Sequence, residues 1–274
     1  MTLLKPVAVV TGASSGIGAA LARVFATNGH DVAVVGRRQP LLNALADDIA
    51  ASGKARPLVI PMDLTRVDSP VRIGHELGAH GLEPAYIVNN AGYGLVGRAA
   101  ELDRSAQLAM IDLNVRALTD LSLRFIDSLA RHRGGILNVA SVAAFLPGPG
   151  MALYHATKSY VVSFSEALHT ELAPQGIHVT ALCPGPVPTE FQERAGLDAT
   201  KLPRLLTRSA DWVAQQGYDG LMRNRRVVVP GWSNKLLSFV VRTAPRRILL
   251  GATDRAMQGR AAPPPRWPKR RELD

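Results

Sequence analysis

The sequence predicts an α/β protein: a doubly wound parallel sheet of about seven strands with helices on both faces. Three observations predict it. Short β-branched runs at 7–11, 31–36, 58–63, 86–90, 135–141, 177–184 and 226–230 alternate with longer helix-period stretches. The runs are apolar on both faces, as strands covered by helices on either side must be. A chain of 274 residues, 47% hydrophobic, is long enough to bury one large core.

The first run, VAVVT, feeds TGASSGIG with glycines at 12, 16 and 18, then an alanine-rich helix over 19–27 that stops at Asn28-Gly29. Three glycines at a strand-to-helix turn let backbone approach a pyrophosphate, while the helix N-terminus adds amide donors and a positive dipole end. Glycine serves simple tight turns as well. The second run ends in Gly36-Arg37-Arg38, where a protein selecting a ribose 2′-hydroxyl carries Asp or Glu. Guanidinium groups there suit a 2′-phosphate, with the Ser14 hydroxyl as a further donor, unless the pair is a solvated turn. The third run closes on Asp63-Leu64 and the fourth on Asn89-Asn90-Ala91-Gly92. Asn89 and Asn90 fit a structural role and a ligand contact equally.

A long helical pattern from about 103 to 131 is interrupted by Asn114 in MIDLNV; a mid-helix asparagine lowers propensity and either faces solvent or has a task. The fifth run ends at Ser141, which faces the ligand crevice of an open sheet or caps the turn before Val142. Thirteen residues later, Tyr154-His155-Ala156-Thr157-Lys158 puts a phenol and an ammonium on one helix face. A free tyrosine, with a pKa of about 10, needs a cation beside it to exchange protons near neutrality, and Lys158 supplies one. His155 points about 100° away from Tyr154. Ser141 also lacks a GxSxG elbow, which sets a Ser-His hydrolase aside. The sixth run leads into PGPVPT over 184–189.

In their order and spacing these motifs resemble the short-chain dehydrogenase/reductase family over about residues 5–230. The resemblance implies a Rossmann-like fold in one domain, 1–230, with a substrate loop at about 190–225 and an extension over 231–274. It implies that NADP(H) is held by Gly12, Ser14, Ser15, Gly16, Ile17, Gly18, Arg37, Arg38, Asp63, Leu64, Asn90, Ala91, Gly92, Tyr154, Lys158, Pro184, Gly185, Val187 and Thr189. It implies four catalytic residues: Ser141 polarises a substrate carbonyl, Tyr154 donates the proton, Lys158 lowers the Tyr154 pKa and binds ribose, and Asn114 holds a relay water. The implied activity is hydride exchange between nicotinamide and a small-molecule carbonyl or alcohol, in the ketone-reducing direction. Family members associate through helices that fall here at about 104–131 and 151–173, which implies a homodimer or homotetramer. A full catalytic set argues against an NADP(H)-binding regulatory or scaffold protein without turnover.

The stretch 190–225 carries Leu197, Leu202, Leu205, Leu206 and Trp212, which suit an apolar, lipid-like substrate or simply cover the sheet. Net charge is +10, but residues 231–274 hold ten Lys/Arg against three Asp/Glu, so the body is nearly balanced. That distribution, without a basic aromatic-interleaved motif, excludes nucleic acid as the expected partner. No metal-ligand spacing occurs. The single cysteine, Cys183 in HVTALCP, reads as a buried thiol in a reducing compartment, and the first residues lack a signal-peptide pattern, so a cytoplasmic protein is expected.

The extension contains WSNKLLSFVVRTAPRRILL, too interrupted for the roughly 20 apolar residues of a bilayer span but patterned like an interfacial helix. It suits peripheral membrane contact, packing on the body or a subunit contact; a membrane-surface interaction module is the second alternative function. AAPPPRWPKRR over 261–271 reads as a flexible end.

Overall fold

The computed structural model describes residues 4–197 and 205–258. In chain order its strands are β1 (Lys5–Thr11), β2 (Val32–Gly36), β3 (Leu58–Pro61), β4 (Leu82–Asn89), β5 (Gly135–Val139), β6 (His178–Leu182) and β7 (Val227–Val228). All pair in parallel, in the order β3-β2-β1-β4-β5-β6-β7. The helices are α1 (Gly16–Thr27), α2 (Gln39–Ala51), α3 (Ser69–Ala79), α4 (Arg104–Ile111), α5 (Leu118–Arg124), α6 (Ile126–Arg131), α7 (Ala152–Leu172), α8 (Glu190–Ala195), α9 (Ala210–Met222), α10 (Trp232–Thr243) and α11 (Arg246–Gln258).

Period-two alternation splits each buried strand between two apolar layers. Ala8 and Val10 face Leu21, Phe25, Leu42, Val213 and Leu221 of α1, α2 and α9. Val7 and Val9 face Ile73, Leu77, Leu121, Leu129 and Leu168 of α3, α5, α6 and α7. This Rossmann-like sheet reverses its winding between β1 and β4, and the crevice outside their carboxyl ends is where such folds bind ligands.

Two elements depart from the sequence pattern. The fourth strand starts at Leu82 rather than 86, because polar Glu83 and Pro84 mask its beginning. Glu83 is buried with its carboxylate paired to Arg131 and His132, and the register shift between Val7 and Ala8 leaves Ala85 unmatched beside Pro84. The single helix expected over 103–131 is instead three: a π-helical turn, Asp112–Ala117, separates α4 from α5, and Phe125 (φ −109°, ψ 17°) separates α5 from α6. Asn114 lies in the π turn and points inward, 1% exposed; wide turns of this kind recur at functional sites.

The extension begins as part of the body. Ser233 and Asn234 in the first turn of α10 are buried, Ser233 Oγ donating to the Leu205 carbonyl at 2.8 Å and Asn234 Nδ2 to Leu206 (3.1 Å) and Pro230 (2.8 Å). The stretch expected over 261–271 lies outside the described residues. Among those described, no helix is long and apolar enough to cross a membrane.

Candidate active site

The turn between β1 and α1 forms one wall of the crevice. Gly12 has φ +65°, and a Cβ on Gly18 would stand 2.3 Å from the Gly12 carbonyl oxygen, so only glycine permits this approach of backbone to backbone. Asn90 Nδ2 donates to the carbonyls of Thr11 (3.0 Å) and Gly12 (3.2 Å), which anchors the turn from β4. Asn89 donates to Asn138 Oδ1 (2.9 Å) and Ser122 Oγ (3.0 Å) inside the core. These bonds give both asparagines a structural role.

Ser15 N-caps α1 with its hydroxyl free of cap bonds, and Arg38, at the start of α2, fills the space beside it. Arg38 Nη2 donates to Ser14 Oγ and Ser15 Oγ, each at 2.9 Å. Two hydroxyls, a guanidinium and a bare glycine turn at a helix N-terminus are the donor set a phosphorylated nucleotide needs. Arg37 is exposed, and its charge acts on the Tyr93 phenol. Asp63 Oδ1 accepts from the Thr65 amide (3.0 Å) and hydroxyl (2.9 Å), and Leu64 is buried behind it.

Across the crevice, Asn114, Ser141, Tyr154 and Lys158 converge. Ser141 ends β5's extension, capping the short 3-10 turn Val142–Phe145, and its Oγ accepts from the Ala143 amide at 3.1 Å. Tyr154 and Lys158 lie one turn apart on α7, 8% and 5% exposed, with Lys158 Nζ 5.9 Å from the phenol ring centroid and donating to the Val139 carbonyl at 2.8 Å. Asn114 Oδ1 accepts from the Tyr93 amide (3.1 Å), while Nδ2 donates to the Tyr93 carbonyl (2.9 Å) and Thr157 Oγ1 (3.1 Å). A Cβ on Gly92 would stand 2.9 Å from Asn114 Oδ1 and 3.5 Å from Lys158 Nζ, so the segment after β4 lies flat against both.

The sequence profile described as short chain dehydrogenase matches residues 6–199. The chain belongs to this family. It is 32% identical to sulfoacetaldehyde reductase 2 of Chromohalobacter salexigens over 192 residues, 69% of this chain and 75% of that one. A short-chain dehydrogenase from Sphingobium yanoikuyae in complex with NADPH is similar with a TM-score of 0.75 and 33% identity, covering 93% of this chain and 94% of that one. The bulky-bulky ketone specific alcohol dehydrogenase from Comamonas testosteroni, in its orthorhombic crystal, gives 0.72 and 28%, covering 94% of each chain.

Burial pushes the Tyr154 phenol up to about 12, and a hydrogen bond with the Ser141 hydroxyl opposes that rise. Burial likewise pushes the Lys158 ammonium down to about 8. Asn114 has both amide hydrogens committed to Tyr93 and Thr157, so its side chain ties the segment after β4 to the turn bearing Lys158. His155 Nδ1 bonds the Leu146 carbonyl at 2.9 Å, tying the loop after Ser141 to α7.

The segment after β6 covers the crevice. Pro184 O accepts from the Val142 amide at 3.0 Å, and Val187 is buried. Thr189 caps α8 in a reciprocal box with Gln192, and a Cβ on Gly16 would reach Thr189 Cγ2 at 2.9 Å, so the cover meets the turn. Ile17 packs from the turn into the core behind it. Leu95, Met110 and Met151 pack with Tyr154, and Tyr93, Phe191 and Leu197 close over the cluster. Of the apolar residues expected at the substrate, Leu197 is there, Leu205 (62% exposed) and Trp212 (39%) face solvent, and Leu202 lies outside the described residues.

Sequence reasoning missed Asn234 and Glu190. Asn234 is fully buried against Gly185, whose Cβ would stand 2.5 Å from Asn234 Oδ1. The sequence places the two 49 residues apart, and nothing local links them. Glu190 meets Arg38 at 2.9 Å.

Proposed function

We propose that the chain is an NADP(H)-dependent reductase of bulky, apolar ketones. The observation that carries this reading is the Ser141–Tyr154 pair at the switch-point crevice, roofed by Met151, Phe191 and Leu197 and flanked by the cationic, hydroxyl-lined turn at Ser14, Ser15 and Arg38. NADPH in the Sphingobium relative and ketone specificity in the Comamonas relative support it.

The turn with Gly12, Gly16 and Gly18 would hold the pyrophosphate, Arg38 with Ser14 the 2′-phosphate, and the segment at Pro184, Gly185, Val187 and Thr189 the nicotinamide. Bound NADPH supplies a hydride to the carbonyl carbon. Ser141 Oγ and the Tyr154 hydroxyl hydrogen-bond the carbonyl oxygen and carry its developing charge, and the phenolic proton passes to that oxygen as charge builds. Lys158, buried beside Tyr154, stabilises the tyrosinate left behind and is the proton reservoir facing it. The apolar roof excludes water and sets the preference for a hydrophobic carbonyl.

Nicotinamide-fluorescence titration of the wild type and of Arg37→Ala/Arg38→Ala with NADPH and NADH tests the cofactor assignment. Tighter NADPH binding that the double substitution removes is expected; equal affinity for the two cofactors in the wild type contradicts it.

A second reading concerns where the protein works, and the exposed face of α10 favours it. Trp232, Leu236, Phe239 and Val240 are 66%, 54%, 67% and 49% exposed along one side of α10, Lys235 of the same helix is exposed, and so are Arg246 and Arg247 at the start of α11. Apolar anchors edged by cations suit a surface of anionic lipid. The full chain is expected to float with phosphatidylserine-containing vesicles and not with phosphatidylcholine alone, and Trp232→Ala/Phe239→Ala to remain behind. Wild-type protein that fails to float with either contradicts the reading. Point substitution is the appropriate probe because removing the extension also removes Asn234 from beneath Gly185.

A further inference from the structure

Arg38 is held from both walls of the crevice. On the turn side, Ser14 Oγ accepts from Nε at 3.2 Å and from Nη2 at 2.9 Å, and Ser15 Oγ from Nη2 at 2.9 Å. On the cover side, Glu190 Oε2 lies 2.9 Å from Nη1. The same oxygen also accepts from Arg194, one turn along α8. Burial acts in the opposite direction, yet Arg38 and Arg194 hold the Glu190 carboxyl below its usual range, so it is ionised at neutral pH.

The location of Glu190 gives this pairing consequences at both ends of the site. It follows Thr189, the cap of α8, and precedes Phe191, whose ring centroid stands 5.5 Å from that of Tyr154. One carboxylate therefore connects the arginine at the 2′ position to the helix that roofs the catalytic tyrosine.

We propose that Glu190 is a cofactor-selectivity residue whose carboxylate competes with the ribose 2′-phosphate for Arg38 and is left to Arg194 alone when the phosphate binds. The proposal rests on the NADP(H) reading above. A 2′-phosphate brings up to two negative charges and three acceptor oxygens to a guanidinium, against the single charge of a carboxylate, and so displaces it. A 2′-hydroxyl brings no charge and leaves the Arg38–Glu190 pair closed. The pair thus attenuates NADPH affinity, does not touch NADH affinity, and lets α8 respond only to the phosphorylated nucleotide.

Glu190 and Arg38 side chains are 44% and 33% exposed, so the effect is that of a partly solvated ion pair, a change of about two- to fivefold in affinity. Titration of the full chain with NADPH and NADH, each followed by nicotinamide fluorescence, reads it directly. Glu190→Gln is expected to bind NADPH two- to fivefold more tightly, by the same estimate, with NADH unchanged. Arg194→Ala, which removes the carboxylate's second partner, is expected to shift NADPH affinity the opposite way, again with NADH unchanged. The double variant should follow Glu190→Gln, because Arg194 acts only through Glu190.

Unchanged NADH affinity reports that each variant is folded. If Glu190→Gln weakens NADPH, leaves it unchanged, or shifts both cofactors together, Glu190 is a structural clasp and the proposal is overturned. Wild-type protein indifferent to the 2′-phosphate overturns the NADP(H) reading itself, an outcome visible before any variant is compared.

Discussion

The turn from Gly12 to Gly18 and the facing segment from Pro184 to Ala195 enclose one crevice, the first fixed by backbone sterics and the second by side-chain hydrogen bonds. In the turn, a Cβ at Gly18 has the Gly12 carbonyl oxygen 2.3 Å away, and Asn90 ties that carbonyl and the Thr11 carbonyl in place. In the cover, the Thr189–Gln192 box, a Gln192 Nε2 bond to the Val187 carbonyl, Asn234 behind Gly185 and the Glu190 ion pair do the holding. A wall locked by backbone contact has one conformation. A wall held by separate polar contacts can open and close a contact at a time, which suits a segment that must admit cofactor and substrate.

The largest expected effect belongs to neither wall but to the chemistry between them. Tyr154→Phe should lower ketone reduction by about 10²- to 10⁴-fold, with NADPH affinity and melting temperature held, which steady-state rates and a thermal melt will show. Next comes the rigid wall. Gly18→Ala forces a methyl onto the Gly12 carbonyl, and overpacking of this kind costs about 1–3 kcal/mol; denaturant unfolding should show the loss together with weakened NADPH and NADH binding alike.

The adjustable wall should yield less. Asn234→Ala removes two hydrogen bonds of about 1 kcal/mol each, and the account requires a higher KM for cofactor with kcat little changed. Equal damage from Asn234→Ala and Gly18→Ala to stability and to both kinetic constants would erase the distinction between the walls.

The smallest effect is a gain. Lys158 carries a folded pKa of about 8 against an ordinary 10.5, so between those values the unfolded chain binds more protons and stability rises with pH. Its ammonium is a burden below pH 8 that is relieved as pH approaches 10.5. Lys158→Met should therefore be more stable than the wild type at pH 7, by about 1 kcal/mol after loss of the Val139 hydrogen bond, and inactive. The advantage should vanish above pH 10.5; a variant less stable at pH 7 contradicts the pKa order.

The same contrast explains what was legible in the sequence. Glycine spacing at 12, 16 and 18, the Tyr154–Lys158 interval and Ser141 at a strand end are local patterns, and the structure places all of them at one crevice. Continuous apolar, β-branched runs marked the strands because the central ones are buried on both faces. What stayed hidden depends on distant partners. Glu83 looked too polar for a strand because its neutralising Arg131 and His132 lie 48 and 49 residues away. The π turn at Asn114 is paid for by bonds to Tyr93 and Thr157 that no helical period records. Asn234 read as part of an interfacial stretch, although its partners are Leu206, Pro230 and Gly185. The apolar side chains of 190–225 could not be sorted by sequence into roof and surface, since the partial burial of Leu197 against the Tyr154 cluster and the exposure of Trp212 are set by packing alone.

The most direct measurement is a single-turnover mixing of enzyme-bound NADPH with a bulky apolar ketone, following nicotinamide oxidation in the wild type and in Tyr154→Phe. One equivalent oxidised by the wild type, and none on that timescale by a variant that binds NADPH equally well, is the predicted result. Oxidation at the same rate in both proteins, or bound NADPH that no ketone discharges, would contradict it.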